Sequence, residues 1–154
     1  MKLSTKGRYG LRALIDLAVY SEESAVSISS IAAREHISES YLEQLVAKLK
    51  KARLVKSIRG AGGGYMLARP AEEISVGDIL RALEGNLEAV ACAGLDAEGG
   101  CEEADFCVTK YVWQRINDSI TQAVDEIKLS QLVEESKAVK DRGGAEQQGR
   151  RPCQ

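Results

Sequence analysis

Apolar side chains recur three and four positions apart through most of the chain, which is the spacing of helices with one buried face. Near the N-terminus, Leu11, Leu14, Ile15 and Ala18 form such a stripe. Between residues 40 and 52 an apolar stripe lies opposite a clearly polar face. The pattern predicts helices over residues 4–20, 29–35, 40–52, 75–83 and 108–129, and a short final helix at Leu132 and Val133.

A hairpin is predicted after the third helix. Residues 54–59 have strand character, residues 60–64 are almost entirely glycine, and residues 65–68 read as the returning strand. Glycine suits such a turn because it reaches positive φ without strain. Three helices followed by a hairpin in about 65 residues is the order of a winged helix-turn-helix. We therefore predict a mainly α fold with a small β-hairpin, in which a winged helix-turn-helix precedes a long helix.

The composition excludes several classes of protein. Of the 154 residues, 44% are hydrophobic and 5% aromatic, which supports an aliphatic core and excludes a disordered chain. No apolar run approaches the roughly 20 residues of a membrane span, and a secretory signal is not apparent. We therefore expect a cytoplasmic protein without membrane contact. An enzyme is not expected, because the chain has one histidine and its glycine-rich turn lacks the Lys-Ser/Thr ending of a phosphate-binding loop.

The charge is distributed unevenly along the chain. Residues 1–70 hold 12 Lys and Arg against 6 Asp and Glu, a net of +6, whereas residues 71–154 hold 9 against 17, a net of −8. A basic half joined to an acidic half indicates that the first half meets an anion such as nucleic acid. Chance clustering of solvated charges is the alternative.

The third predicted helix has side chains suited to reading DNA. Its apolar stripe can pack on a scaffold while Ser40, Glu43 and Gln44 face the major groove, where Glu accepts from cytosine and Gln pairs with adenine. Lys48 and two lysines after it suit phosphate contact. Any surface helix with one apolar face would explain the same pattern without DNA.

The hairpin offers a second contact. Arg59 lies beside Gly60 at its tip, where glycines let the backbone approach closely. An arginine there is favoured by the concentrated negative potential of a narrow minor groove. A flexible glycine turn without a ligand is the alternative.

Three of the four cysteines fall in one stretch without helical period, residues 85–107, called the cysteine segment below. They are Cys92, Cys101 and Cys107, whereas Cys153 lies in the polar C-terminal stretch and is expected to be incidental. Thiolates in a glycine-containing loop suit iron–sulfur ligation. The spacing is not that of a zinc site, because no Cys-x-x-Cys pair or nearby histidine occurs.

Three stretches of sequence closely resemble one bacterial family of winged-helix regulators. They are Leu3–Gly10, Ser38–Leu45 and Ser57–Tyr65. The family includes IscR, NsrR and CymR, and the resemblance covers roughly residues 1–138. It implies a homodimer held by the helix near residues 108–128, and two-fold symmetry then implies a roughly palindromic operator on double-stranded DNA.

The resemblance also assigns regions and DNA contacts. Base contact is implied for Ser40, Glu43 and Gln44, minor-groove contact for Arg59 beside Gly60, and a supporting or backbone contact for Ser38 and Tyr41. The expected regions are a winged helix-turn-helix (1–70), a linking helix with the cysteine-bearing loop (71–107) and a dimerisation helix with a short final helix (108–140). Residues 141–154 lie outside the resemblance, and their polar composition predicts a disordered tail.

The resemblance further implies that Cys92, Cys101 and Cys107 hold an iron–sulfur cluster, with a 2Fe–2S centre favoured over 4Fe–4S. The chain departs from the pattern at Lys110, which stands where IscR has a histidine ligand. The fourth ligand stays open among Glu102, Glu103, Asp105, Cys153, a residue of the other subunit and an external small molecule.

The expected function is transcriptional regulation that depends on this cluster and controls genes of iron–sulfur cluster biogenesis, with cluster-assembly proteins as further partners. A nitric-oxide- or redox-responsive repressor is one alternative. A cluster-free regulator of cysteine metabolism acting through a partner protein is the other, and three cysteines in one segment argue against it.

Overall fold

The computed structural model describes residues 3–90, 101, 103 and 105–143. The described residues form six α-helices and an antiparallel hairpin, which confirms the predicted fold class. No helix in these ranges is long and apolar enough to cross a bilayer. In chain order the elements are α1 (Thr5–Tyr20), α2 (Ile28–Glu35), α3 (Glu39–Lys51), β1 (Val55–Ile58), β2 (Gly64–Leu67), α4 (Val76–Glu84), α5 (Lys110–Glu126) and α6 (Leu129–Gly143).

Serine caps define where the first three helices begin. The hydroxyls of Ser4, Ser27 and Ser38 each accept a hydrogen bond from an amide of the first turn, at 3.1–3.2 Å. Such caps satisfy amides that have no partner inside the helix. The sequence pattern predicts that α3 begins at Ser40. Because Ser38 provides the cap, the helix instead begins one residue earlier, at Glu39.

One aliphatic core joins the first three helices to α4 and α6. Ile74, Ile79 and Leu129 are fully buried and belong to the same cluster as the leucines of α1 and α3. The expected boundary near residue 70 therefore does not separate two cores. The fully buried leucines and isoleucine of the first three helices are Leu14, Leu17, Ile31, Leu42, Leu45 and Leu49.

The hairpin is attached to the helices along one edge. β1 and β2 pair from Val55 opposite Leu67 to Ile58 opposite Gly64. Val26 and Tyr65 exchange backbone hydrogen bonds of 2.9 and 2.8 Å, which extends the hairpin by a one-residue bridge. Gly64 has φ +155°, and a Cβ there would collide with the carbonyl of Val26, so this close approach requires glycine.

The predicted capping box opens α4. The hydroxyl of Ser75 accepts from the amide of Asp78 at 3.0 Å, and the Asp78 carboxylate accepts from the amide of Ser75 at 3.0 Å. This reciprocal pair satisfies two helix-terminal amides and places Ile79 and Leu83 against the core.

The final helix differs from the expectation. α6 has 15 residues and continues to Gly143, so it is not short and it extends into the region expected to be a disordered tail. Its last turns carry no apolar stripe, and polar contacts hold them on the end of α1 instead. Lys137 pairs with Glu22, and Lys140 lies 4.4 Å from the ring of Tyr20. Residues 144–154, which include Cys153, lie outside the described residues.

Candidate functional site

The exposed face of α3 carries the residues expected to read bases. Leu42 and Leu45 are buried beneath it, whereas Ser40, Glu43 and Gln44 are all exposed. Packing of the apolar stripe against α1 and α2 fixes which way the helix faces. The structure therefore brings the three predicted base-contacting residues together on one solvent-exposed surface, in the first two turns of the helix.

Tyr41 ties the start of α3 to the start of α1. Its hydroxyl donates to Oγ1 of Thr5 at 3.4 Å, and its ring meets Tyr9 edge to face with 6.2 Å between centroids. Edge-to-face aromatic pairs stabilise contacts beyond the area they bury. The sequence analysis does not identify Thr5 and Tyr9 as partners of Tyr41, because 36 residues separate Thr5 from Tyr41 and no periodicity connects them.

The lysines of α3 have different surroundings. Lys48, expected to contact phosphate, donates from Nζ to the carbonyl of Leu83 at 3.3 Å, which places its charge at the C-terminal end of α4. Lys50 donates to the hydroxyl of Ser57 on β1 at 3.0 Å. A cation at a helix C-terminus is favoured by the helix dipole, so Lys48 contributes to helix packing in this arrangement.

The hairpin tip is open to solvent. Arg59 and Gly60 are both exposed, and Gly60 has φ +110°. The amide of Gly63 donates to the carbonyl of Gly60 at 3.0 Å, which closes the turn. The tip therefore presents a cation on a tight backbone turn, at the end of the strand that follows α3.

A buried ion pair holds α2 against α1 and was missed by the sequence analysis. The side chain of Asp16 is 3% exposed and accepts from Nε and Nη2 of Arg34 at 2.8 and 2.7 Å. The Arg34 guanidinium also stacks 3.9 Å from the ring of Tyr20. In the sequence Asp16 only interrupts an apolar run, and its partner lies 18 residues away on another helix.

The apolar stripe of α5 is left uncovered by the residues that the structure describes. None of the residues of α5 is buried, although the helix packs against α4. The large apolar side chains exposed there include Tyr111, Val112 and Ile116, the last at 37% exposure. Exposed apolar patches of this kind mark sites of association.

Two of the three expected cluster ligands lie within the described residues. Cys101 is exposed, and Cys107 is half-buried two residues before Thr109, the cap of α5. The Thr109 hydroxyl lies 3.1 Å from Sγ and lowers the pKa of Cys107, and the backbone amides of Lys110 and Thr109 add to this shift. Phe106 is 90% exposed and shields neither thiol.

The donor chemistry of these residues fits an iron–sulfur cluster. Thiolates are the ligands of such clusters, and the surroundings of Cys107 favour its thiolate. Cys92 lies outside the described residues, as does Glu102. Among the residues that are described, no three His, Cys, Asp or Glu side chains come together as a metal site. Lys110 begins α5, with Nζ 5.3 Å from the ring of Tyr111.

The sequence is similar to known regulators over most of its length. Residues 3–135 match the Rrf2 family, which is described as an iron-dependent transcriptional regulator. The HTH-type transcriptional regulator IscR of Pectobacterium carotovorum subsp. carotovorum is 42% identical over 133 residues, which are 86% of this chain and 79% of that relative. The relative is named as a regulator and not as an enzyme, in agreement with the sequence analysis.

Two solved structures share the fold. IscR of T. potens has 44% sequence identity and a TM-score of 0.71, covering 97% of this chain and 94% of that one. CymR of B. subtilis, described as the global cysteine regulator, has 42% identity and a TM-score of 0.71, covering 88% of this chain and 98% of that one. Both alignments therefore cover most of this chain and most of each solved chain.

Proposed function

The chain belongs to the Rrf2 family and is a transcriptional regulator, and from this premise we propose that an iron–sulfur cluster held by Cys92, Cys101 and Cys107 controls its affinity for operator DNA. The observation that carries the DNA-binding part is the exposed polar face of α3 above a buried apolar stripe. The thiol chemistry of the cysteine segment supports the cluster part.

In this proposal α3 lies in the major groove. Ser40, Glu43 and Gln44 read base edges, since hydroxyl, carboxylate and amide groups match the donors and acceptors exposed there. Ser38 and Tyr41 hold the start of the helix and contact the DNA backbone. Lys48 contributes by fixing α3 on α4, as its contact with Leu83 indicates.

The hairpin makes the second contact. Arg59 enters the adjacent minor groove, and Gly60 lets the backbone approach the sugar–phosphate chain. The guanidinium is exposed at the tip of a hairpin that is itself attached to α1–α3 through Val26 and Tyr65. This attachment fixes the position of the hairpin relative to the helices, and so the spacing of the two contacts that one subunit makes with DNA.

A second copy of the chain covers α5. The exposed Val112 and Ile116 lie on one face of the helix together with Ile120, and an isologous pair of such faces would bury all of them. A two-fold axis through α5 pairs two copies of α3, so the operator is roughly palindromic. We propose this homodimer as the DNA-binding form.

When bound, the cluster would make the protein responsive to the supply of iron, sulfide and oxidant, because its presence or oxidation state changes with them. The chain's own residues bind it through thiolates, and Thr109 supports the thiolate of Cys107 by hydrogen bonding. We propose a 2Fe–2S centre, cluster-assembly proteins as its donors and cluster-biogenesis genes as its targets. The fourth ligand is open among the exposed Glu103 and Asp105 and groups outside the described residues.

A cluster-free mode is the second candidate. The structure is as similar to CymR as to IscR by TM-score, and Lys110 stands where a histidine ligand is expected. In that case the cysteines act as thiol switches or are incidental, and a partner protein controls DNA binding.

The first test is a visible absorption spectrum of protein purified without oxygen, with iron and sulfide counted per chain. We expect brown protein with equal iron and sulfide. Cys92→Ala, Cys101→Ala and Cys107→Ala should each remove the absorbance, and Cys153→Ala, the matched control, should leave it intact. Loss of absorbance in Cys153→Ala would instead make Cys153 the fourth ligand. Colourless wild-type protein that takes up no cluster on reconstitution would favour the cluster-free mode.

A further inference from the structure

The last turn of α4 contacts the start of α1 through one carboxylate. Oε1 of Glu84 accepts from the amide of Ser4 at 3.0 Å, from the hydroxyl of Ser4 at 2.6 Å and from the amide of Gly7 at 2.9 Å. These amides belong to the first turn of α1, which lacks intrahelical partners, and a carboxylate there is also favoured by the helix dipole. Glu84 therefore serves as a tertiary cap of α1.

The fit at this cap is tight. A Cβ at Gly7 would lie 2.6 Å from Oε1 of Glu84, so only glycine lets the carboxylate reach both amides. Burial by itself would raise the pKa of Glu84, but the hydrogen bonds from Ser4 and Gly7 outweigh it and the pKa is lowered. The carboxylate is consequently charged when it caps the helix.

Two contacts connect this joint to α3. Thr5, in the capped turn of α1, accepts the hydrogen bond from Tyr41 in the first turn of α3. Lys48, further along α3, donates to the carbonyl of Leu83, the residue before Glu84. The start of α3 is thus held through α1, and its later part is held directly by α4.

The same turn of α4 leads into the cysteine segment. Gly85 follows Glu84 with φ +85°, and the amide of Ala89 donates to Oδ1 of Asn117 on α5 at 2.9 Å. The first residues of the segment are therefore anchored to α5 on one side, and on the other they follow a turn that contacts the start of α1 and Lys48 in the last turn of α3. Because the segment begins directly after Glu84, we expect a shift of residues 85–90 relative to α5 to strain the hydrogen bonds of Glu84.

We propose that Glu84 is a positioning residue that transmits the state of the cysteine segment to α3 through the start of α1. The signal that Glu84 transmits is the cluster state of the proposed function, and the inference rests on that function. Three hydrogen bonds to one oxygen form a joint that is either made or broken, which suits a two-state element. Glu84 itself contacts neither DNA nor cluster in this mechanism.

The test is a double-mutant cycle that reads the operator Kd. One change replaces Cys92, Cys101 and Cys107 together by Ala, and the other is Glu84→Ala. We expect the cysteine replacement to change Kd on the order of ten-fold in the presence of Glu84. With Glu84→Ala the same replacement should change Kd by less than about two-fold, which is within the error of additivity in such cycles.

A purely structural role for Glu84 makes a different prediction. It lowers affinity equally with and without the cysteines, and this outcome would overturn the proposal. Hydrogen exchange at the amides of Ser4 and Gly7 gives a second readout, which should respond to the cysteine replacement only if the joint transmits. Where Glu84→Ala does not fold, Glu84→Gln replaces it, with a partial loss of the cysteine dependence expected.

Glu88→Ala is the matched control, since Glu88 is an exposed glutamate four residues further along. It should retain the full dependence on the cysteines, and loss of the dependence there would assign the effect to general charge. If the cysteine replacement changes nothing even with Glu84 present, transmission is refuted. The absorption spectrum of the wild type then decides separately whether the cluster proposal stands.

Discussion

Glu43 is exposed on α3 between Ser40 and Gln44, where a carboxylate accepts from cytosine and repels phosphate. Glu43→Ala should therefore change which operators are bound more than the mean affinity. We expect a loss of about 1–3 kcal/mol at sites with cytosine opposite the residue and little change elsewhere. Kd values on an operator series with single base changes measure this. Glu135→Ala, at an exposed position of α6, serves as the control, and an equal loss on all sequences would contradict base reading.

Arg59 is proposed to enter the minor groove, where the negative potential depends on groove width. Arg59→Ala should weaken binding most on operators with A·T pairs beneath the hairpin. Arg59→Lys keeps the charge but is more strongly hydrated, so it should recover only part of the affinity. Titrations on operators that differ only in these flanking pairs measure both effects. A loss that is independent of the flanking sequence would indicate phosphate contact.

Two features of α3 show which properties of single residues the sequence predicts and which it does not. The exposed polar face of α3 follows from helical periodicity, because a side chain's face depends only on its spacing along the helix. The contact of Lys48 with Leu83 does not follow from it, since the phosphate interpretation and the packing interpretation both require an exposed lysine on α3. The carbonyl that Lys48 contacts belongs to Leu83 of α4, 35 residues away, and contact of Lys48 with phosphate stays a prediction.

At the scale of elements, the exposed stripe of α5 leads to a prediction about association. Ile116→Glu places a carboxylate on a face that a second copy is proposed to bury, and an unpaired buried charge costs several kcal/mol. We expect the dimer dissociation constant to rise on the order of ten-fold or more, with little effect on the helix content of the subunit. Sedimentation equilibrium measures the change. Gln114→Glu, on the opposite face of α5, should leave the dimer intact, and an Ile116→Glu protein that stays dimeric would contradict this interface.

The helices with serine caps and regular stripes were predicted closely, whereas α6 was not. Caps and stripes are local signals, so α1 and α4 begin where Ser4 and Ser75 indicate. The last two turns of α6 have neither signal and are held by contacts with Glu22 and Tyr20 at the end of α1. A helix stabilised in this way is not visible in its own sequence.

At the scale of the whole molecule, acid should lower the stability of the fold by protonating Asp78 and Glu84, whose carboxylates accept hydrogen bonds in the folded chain. Burial tends to raise the pKa of Asp78, but hydrogen bonds from Ser75 and the charges of Arg69 and Arg81 outweigh it, and the pKa is lowered. The pKa of Glu84 is also lowered. A lowered folded pKa contributes stability above the unfolded value, and this contribution is lost as pH falls through the folded value.

We therefore expect the free energy of unfolding to decrease below about pH 4, where unfolded carboxyls bind protons first. Urea titrations from pH 6 to pH 3 measure the slope. Asp78→Asn should lower stability at pH 6 and flatten the slope, whereas Asp118→Asn, at an exposed position of α5, should leave the slope unchanged. An Asp78→Asn slope equal to that of the wild type would assign the acid transition to other groups.

Across the chain, the order of helices, the hairpin, the polar face of α3 and the cysteine pattern were all evident from residue spacing. These features depend on neighbours a few positions apart, and their physical causes act within one turn or one strand. The joint between Glu84 and Ser4, 80 residues apart, the pair of Asp16 with Arg34 and the exposure of α5 emerged only from the folded chain. They depend on which surfaces of different elements meet, and packing of the common core determines that.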